Sequence, residues 1–233
     1  MKTLVVELYN YREWTEILGY DREWKIQTSQ FSLLSSILWK ASMIGGMLLP
    51  LRYDQFILTA DGIPNSKLKE FLTFMSRLTP VNIRACLGYG KTPLAAQESG
   101  YNCIKQLEPG RFELSPFPDS LVSIAHYDLN DFTSLTNNTS TYRSFFEAQK
   151  FFMDILNYTY SLGGLAQYMG GDNVIVLLNP DAIDQIVANV ENSKLIKVGI
   201  GIGKNAREAL RNATKALTDI RSTRRETWKL LRE

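Results

Sequence analysis

Apolar positions recur along this chain with two periods, and each period marks a different element. In the second half, 121–127 is an apolar-rich run with strand character. Phe145, Phe146, Phe152, Ile155 and Leu156 recur at roughly helical spacing, which predicts a helix over 142–161. Gly163-Gly164 would end that helix. The runs 165–169 and 173–178 flank Gly170-Gly171-Asp172, the pattern of a hairpin with a tight turn. A short helix over 181–190, a strand over 195–202 and a helix from 206 to about 225, with Ala209, Ala213 and Ala216, complete this half. The first half predicts a strand near 3–9, a helix near 27–43, a hairpin near 47–60, a helix near 65–77, a strand near 81–88 and a helix near 92–104. The order βαββαβ followed by a further helix is ferredoxin-like, in the α+β class. A right-handed crossover makes the first and second strands parallel, with the third between them.

The two halves match each other in sequence as well as in order. Tyr9 falls on Tyr127, Asn10 on Asp128, Trp14 on Phe132 and Thr15 on Thr133, an offset of 128 − 10 = 118. At the same offset Gly45-Gly46 falls on Gly163-Gly164 and Asp54 on Asp172. Later, Leu87-Gly-Tyr-Gly-Lys91 lies over Ile200-Gly-Ile-Gly-Lys204 and Ala96 over Ala209, an offset of 201 − 88 = 113. A chain of 233 residues has room for two such domains. They are read as 1–108 and 119–233, joined through 106–118, which holds Pro109, Gly110, Pro116 and Pro118. In this alignment only one counterpart of the pair Asp128 and Asp172 is an acid. The first half is therefore read as a degenerate copy that helps form the base pocket or the assembly.

Composition narrows the class. Apolar residues make up 45% and charged residues 21%, as in an ordinary globular protein, which excludes disorder. A formal net charge of +2 is far from that of a duplex-binding protein, so no nucleic-acid partner is expected. The one basic excess, Arg221, Arg224, Arg225 and Lys229, reads as the solvated face of the last helix. Cys86 and Cys103 are too few and too far apart for a disulfide framework or a zinc cluster, and read as buried free thiols. Residues 1–10 form a strand-like run containing Glu7, neither a signal peptide nor a membrane span. The expected compartment is the cytoplasm, with no membrane partner.

The chemistry gathers in the second half. Asp128 ends its first strand and Asp172 begins its third, and neighbouring strands lie about 4.8 Å apart. Two carboxylates that close repel unless a cation lies between them, and a hard ion such as Mg²⁺ takes oxygen ligands while leaving room for phosphate oxygens. The same aspartates would also suit a turn cap and a hairpin turn, and spacing alone leaves both readings open. Gly170-Gly171 removes two side chains beside the acid, letting a substrate approach the backbone. Asn130, Asp131, Phe132 and Thr133 follow Asp128 as the chain turns toward a helix, where successive N–H groups could cradle a triphosphate. His126, the one histidine, shares a strand face with Asp128. It either acts at the base or holds the site in place. Gly199-Ile-Gly-Ile-Gly203 fails the dinucleotide fingerprint, because the last glycine would fall on Lys204, and Gly88-Tyr-Gly-Lys-Thr92 lacks the first glycine of a P-loop. The run 31–38 reads as core helix.

Asp128-Leu-Asn-Asp-Phe-Thr133 together with Gly170-Gly-Asp-Asn173 resembles the metal sites of the palm-like nucleotidyl cyclases, including the GGDEF diguanylate cyclases. By that match Arg221 takes the place of a phosphate-contacting lysine. The chain is more closely similar, along nearly its whole length, to the archaeal GTP cyclohydrolase III family. The stretches that carry this are Ile124-Ala-His-Tyr-Asp-Leu-Asn-Asp-Phe-Thr133, Gly170 to Asn173, Gly199 to Gly203 and Ile220-Arg221. Asn10-Tyr11, Trp14-Thr15 and Arg52-Tyr-Asp54 look like that family too. The resemblance implies two tandem palm domains and a homo-oligomer, dimer or tetramer. It implies an enzyme that opens the imidazole ring of GTP and stops at 2-amino-5-formylamino-6-ribosylaminopyrimidinone 5′-monophosphate, releasing two phosphates. That product feeds archaeal flavin and deazaflavin synthesis. Mg²⁺ would be required and K⁺ would activate. In the expected site, Asp128, the Leu129 carbonyl and Asp172 hold Mg²⁺. Asn130 to Thr133, Gly170, Gly171 and Asn173 meet the substrate, and Lys204 and Arg221 neutralise phosphate charge. Two rivals use the same residues: a nucleotidyl or diguanylate cyclase, and a sensor that binds GTP without turnover.

Overall fold

Strands whose residues are buried on both faces take the centre of a sheet, and here β1 (Lys2–Leu8) and β6 (Val122–Leu129) are such strands. The computed structural model describes residues 1–191, 193 and 195–232. The chain divides into two compact units, one of Met1–Lys91 with Ala95–Ser120, the other of Thr92–Leu94 with everything from Leu121 onward.

In the first unit, β1 is followed by α1 (Tyr11–Glu16), α2 (Arg22–Met43), β2 (Leu48–Pro50), β3 (Gln55–Thr59), α3 (Asn65–Leu78), β4 (Ile83–Tyr89), α4 (Pro93–Ile104) and β5 (Phe112–Glu113). The sheet order is β2-β3-β1-β4-β5. In the second, β6 is followed by α5 (Phe132–Asn138), α6 (Thr141–Ser161), β7 (Leu165–Gly170), β8 (Asn173–Leu178), a 3₁₀ turn, α7 (Ile183–Val190), β9 (Ile196–Gly203), α8 (Ala206–Thr223) and β10 (Trp228–Arg232). Its order is β10-β9-β6-β8-β7. In both sheets the third strand lies antiparallel between the first and second, as the crossover rule requires. The two tandem ferredoxin-like domains are thus present.

Each sheet has one apolar face covered by two helices. In the first unit Ile37, Phe71, Leu72 and Met75 pack on Leu4, Val6, Phe56 and Leu58. In the second, Phe151, Ile155, Ile186 and Val190 pack on Tyr127, Val174, Val198 and Ile200. The opposite face of β9 is built for close approach. Its glycines alternate with Ile200 and Ile202, and the alanine face of α8 lies against them. A Cβ on Gly201 would sit 2.1 Å from the Ala209 carbonyl oxygen and 2.3 Å from the Ala213 nitrogen. Gly88 stands in the same relation to Ala96, at 2.0 Å.

Several expectations change. The last helix stops at Thr223, not 225, because Arg224 takes a left-handed conformation (φ 53°) and its N–H donates back to the Ile220 carbonyl. The chain then adds β10, parallel to β9, a strand the apolar pattern did not reveal. The stretch 106–118 contributes β5, which pairs with β4, and sends Leu114 and Phe117 against the first core. Cys86 and Cys103 are not free thiols: they form a disulfide, with Cα atoms 6.0 Å apart. Their separation of 17 residues is spanned when α4 folds back across β4. Replacing Gly201 with alanine is expected to destabilise the chain by about 3 kcal/mol, the upper range for overpacking, read as a lower denaturation midpoint at unchanged m-value.

Candidate active site

The pairing of β6 decides which side chains meet. Against β8, Tyr127 faces Val174, so Asp128 stands beside the hairpin turn that carries Asp172. Against β9, Asp128 faces Lys197. The turn depends on its glycines: Gly170 and Gly171 both have positive φ (97° and 60°). A Cβ on Gly170 would meet nothing within 4 Å, so the conformation, not space, calls for glycine there. The Gly171 carbonyl accepts from the Tyr168 hydroxyl at 2.9 Å, which fixes the turn.

Asp128 is 5% exposed and lies between two cations. Lys197 Nζ donates to its Oδ2 at 3.0 Å, and Arg221, from α8, donates to both oxygens. Burial works against the charge, but Arg221 and Lys197 outweigh it and hold this carboxyl below its ordinary range. Asp172 shifts the other way: burial first, then the neighbouring Asp128 charge, push it up. Asn173 links the rest. Its Nδ2 donates to Asp172 Oδ1 at 3.1 Å, which leaves its Oδ1 to accept from His126 Nε2 at 2.9 Å. His126 Nε2 therefore carries the proton, and Nδ1 is buried without a partner. Burial, aided by Arg221, lowers the imidazole pKa. One nitrogen is engaged and the other is shut away from solvent. Of the two roles open to His126, the geometry favours holding the site, through Asn173 and Asp172, over acting on the base.

Asp128, Leu129, Asp131, Phe132, Thr133, Asp172, Lys197 and Arg221 line one cleft of about 510 Å³. Asp131 has φ 58° and turns the chain into α5. The Asn130 N–H does not face an incoming ligand, because it donates to the Leu195 carbonyl at 2.8 Å. Lys204 also departs from expectation. It follows Gly203, which pairs with Val122 at the far end of β6. Seven residues of strand, roughly 23 Å at 3.3 Å each, separate it from Lys197. Because β9 runs antiparallel to β6, its beginning, not its end, lies beside Asp128. That topology was the signal for Lys197, which sequence reasoning missed.

The first unit holds a counterpart, in a different register from the sequence alignment. Glu7 faces Arg84, and 84 + 113 = 197, so Glu7 corresponds to Asp128. Asn10, with φ 58° ahead of α1, corresponds to Asp131, with φ 58° ahead of α5 (131 − 10 = 121). The three-residue difference from 118 lies between α1 and α2, so Asn10 was matched to the wrong residue. Both acids survive, as Glu7 and Asp54. Glu7 is paired with Arg84 and with Gln55 at 3.4 Å. The place of Arg221 falls on residue 221 − 113 = 108, beyond the end of α4 at Ile104.

A family model described as GTP cyclohydrolase III matches residues 1–231. A protein of that name from Saccharolobus solfataricus is 40% identical over 233 residues, all of both chains. Another, from Sulfurisphaera tokodaii, is 40% identical over 95% of this chain and 94% of its own. Among solved structures, the active GGEEF domain of a diguanylate cyclase from Vibrio cholerae is similar over 48% of this chain and 83% of its own, at 13% identity and a TM-score of 0.39.

The folded-state pKa of Asp128 is depressed, so its contribution to stability is present above the unfolded carboxyl value and is lost as pH falls through the folded one. Lys197→Met is expected to move the Asp128 midpoint upward and to bring that loss to a higher pH. Carbon-detected NMR titration reads the midpoint directly. An unchanged Asp128 midpoint would show that Lys197 does not set its charge.

Proposed function

Because the chain belongs to the GTP cyclohydrolase III family, we propose that it binds GTP in the second-unit cleft, opens its imidazole ring and cleaves its triphosphate. The product would be 2-amino-5-formylamino-6-ribosylaminopyrimidinone 5′-monophosphate with two phosphates, feeding flavin and deazaflavin synthesis. One observation carries the reading: Asp128 and Asp172 line the same cleft as Lys197 and Arg221. Two carboxylates opposed by two cations suit a metal bound to a polyphosphate.

The donor set fits Mg²⁺. It consists of oxygen atoms alone, and the upward push of Asp128 on Asp172 is the repulsion that a dication would cancel. Two carboxylates and one carbonyl would leave the remaining coordination places of such an ion to phosphate oxygens and water. Asp128, the Leu129 carbonyl and Asp172 would hold the ion, which when bound polarises phosphoryl oxygens and orients water. K⁺ is proposed as an activator.

Lys197 and Arg221 hold Asp128 ionised in the free chain and turn their remaining donors to phosphate when GTP enters. Phe132 and Thr133 line the same cleft, and their N–H groups, in the first turn of α5, have no partner within that helix. Asn173 and His126 keep Asp172 in position. Exposed aromatic residues on α2 (Trp24, Phe31, Trp39) and α6 (Tyr142, Phe145, Phe146) support self-association as a dimer or tetramer. No helix among the described residues is long and apolar enough to cross a membrane.

Asp128→Ala and Asp172→Ala are each expected to lower phosphate release from GTP by about a hundredfold to a thousandfold, the scale seen when a preorganised electrostatic group is lost. Near-normal turnover in either variant would sink the assignment. Chromatography of the products separates the rivals: a cyclic nucleotide or dinucleotide supports a cyclase, and bound but unchanged GTP supports a sensor.

A further inference from the structure

The motif Asn10-Tyr11 with Trp14-Thr15 has no part in the aspartate cleft of the second unit. In the structure it opens α1, and Tyr11 and Trp14 line a separate cleft of about 260 Å³ in the first unit, with Ser29, Gln30 and Leu33 of α2 and Pro80 just past α3. We propose that this cleft binds a guanine nucleoside without polyphosphate or metal, its base stacked on Trp14 and Tyr11 and its edge read by Tyr11 and Gln30. The inference goes beyond the GTP reading above, because it concerns the other unit and a ligand that needs no phosphate.

Size, charge and hydrogen-bonding pattern support it. Pockets for drug-sized ligands start at about 300 Å³, and a cleft just below that suits a nucleoside. Among the described residues that line it there is no lysine or arginine. Nearby, Arg84 is taken by Glu7 and Arg52 by Asp54. A polyphosphate therefore finds no cation to meet it, whereas a neutral ligand fits. The rings do not serve the core. Among the described residues α1 buries none of its own, and Trp14 is not one of the side chains packed on the first core. Trp14 lies instead 5.3 Å from the Tyr11 ring, tilted by 43°. Aromatic side chains so placed can stack on a base, since every base has a π-face. Gln30 Nε2 donates to the Tyr11 hydroxyl at 3.1 Å. That bond fixes what is left over: the Gln30 Oε1 acceptor and the Tyr11 hydroxyl proton. Burial raises the Tyr11 pKa against the pull of Gln30, and the Asp54 charge adds to the rise, so the hydroxyl keeps its proton. A donor beside an acceptor matches O6 and N1–H of guanine. Adenine would meet the same pair through N1 and N6–H, but the negative charge of Asp54 favours the edge richer in donors, and guanine adds its N2–H groups. The repeat points the same way: Tyr11 corresponds to Phe132 (132 − 11 = 121), which lines the aspartate cleft.

The test is equilibrium dialysis of guanosine against the full chain with EDTA present, so that no metal is held at the aspartates. Adenosine is measured alongside it, and a β,γ-imido GTP analogue is measured separately with Ca²⁺. Wild type is compared with Y11F, Q30M, W14L and W14F, and the denaturation midpoint checks the fold of each. The expected loss of guanosine affinity is about fivefold in Y11F and in Q30M, the scale of one neutral hydrogen bond. It is about tenfold or more in W14L, the scale of one stacked base, with most affinity kept in W14F. Adenosine is expected to bind wild type about tenfold more weakly than guanosine, and the affinity of the GTP analogue should stay within about twofold in Y11F and Q30M. Absence of guanosine binding to wild type, unchanged binding in Y11F and Q30M, or adenosine bound as tightly as guanosine overturns the proposal. If Y11F and Q30M weaken the GTP analogue as much as guanosine, the cleft serves the substrate itself, and the proposal fails. Should W14L lower the denaturation midpoint, Y11F and Q30M, which keep the size of the side chain, decide the outcome. A wild-type chain that does not bind the GTP analogue counts against the second-unit reading alone, because the guanosine arm needs neither metal nor phosphate.

Discussion

The antiparallel register of β6 between β8 and β9 is the constraint on which the second unit's chemistry depends. Strand pairing has a period of two, and a slip of one residue would turn every side chain to the other face. With Asp128 opposite Lys197 and next to the turn that carries Asp172, two acids and one cation converge through the sheet and one tight hairpin turn. Only Arg221 arrives from a helix. It reaches Asp128 because three glycines of β9 let α8 lie against the sheet closer than any side chain at those positions would permit.

That arrangement settles the electrostatics before a ligand arrives. An aspartate taken out of water would rather be neutral, and the two cations reverse that preference. The second aspartate has no such help and is raised by the first. Environments that push two carboxyl groups apart divide the labour between them. Here two cations favour the charge on one, and the charge of the first disfavours ionisation of the other, a penalty that an added positive charge would relieve. The first unit keeps a corresponding pair of acids, Glu7 on β1 and Asp54 just ahead of β3, yet Arg84 lies on Glu7 and α4 ends before it could supply an arginine from above. The two halves differ in how their acids are neutralised rather than in whether the acids are present.

Much of this was legible in the sequence. Helical spacing of Phe145, Phe152 and Ile155, the apolar-rich run over 121–127 and the Gly-Gly-Asp turn point to the element order, and the crossover rule to the strand order. Asp128, Asp172, Asn173 and Arg221 were identified, and the structure brings them together. What was missed came from register. An ungapped offset of 118 placed Asn10 opposite Asp128, whereas pairing places Glu7 there, since three residues separate the repeats between α1 and α2. Lys204 was expected to neutralise phosphate charge, but the antiparallel pairing of β9 puts Lys197 beside the acid instead. β10 escaped notice because Trp228 to Arg232 alternates weakly and follows a helix whose cap, Arg224, is not a glycine. The disulfide was hidden because sequence distance says nothing about how α4 folds over β4.

That disulfide also makes the halves unequal in how they can come apart. In the first unit the outer helix is joined to its sheet by a covalent bond between Cys103 and Cys86, so α4 remains tethered to β4 through any local opening. In the second unit the corresponding helix has no covalent tie: it is held by glycine against alanine backbone, by the Asn212 side chain donating to the Ile202 carbonyl and by the Arg221–Asp128 pair, with the added edge strand β10. Fluctuations that lift α8 would withdraw Arg221 from Asp128 and open the aspartate cleft, while the first sheet stays closed. Amide exchange along β9 and α8 would then be a record of how often the site is undone, and exchange along β4 and α4 would be its internal clock.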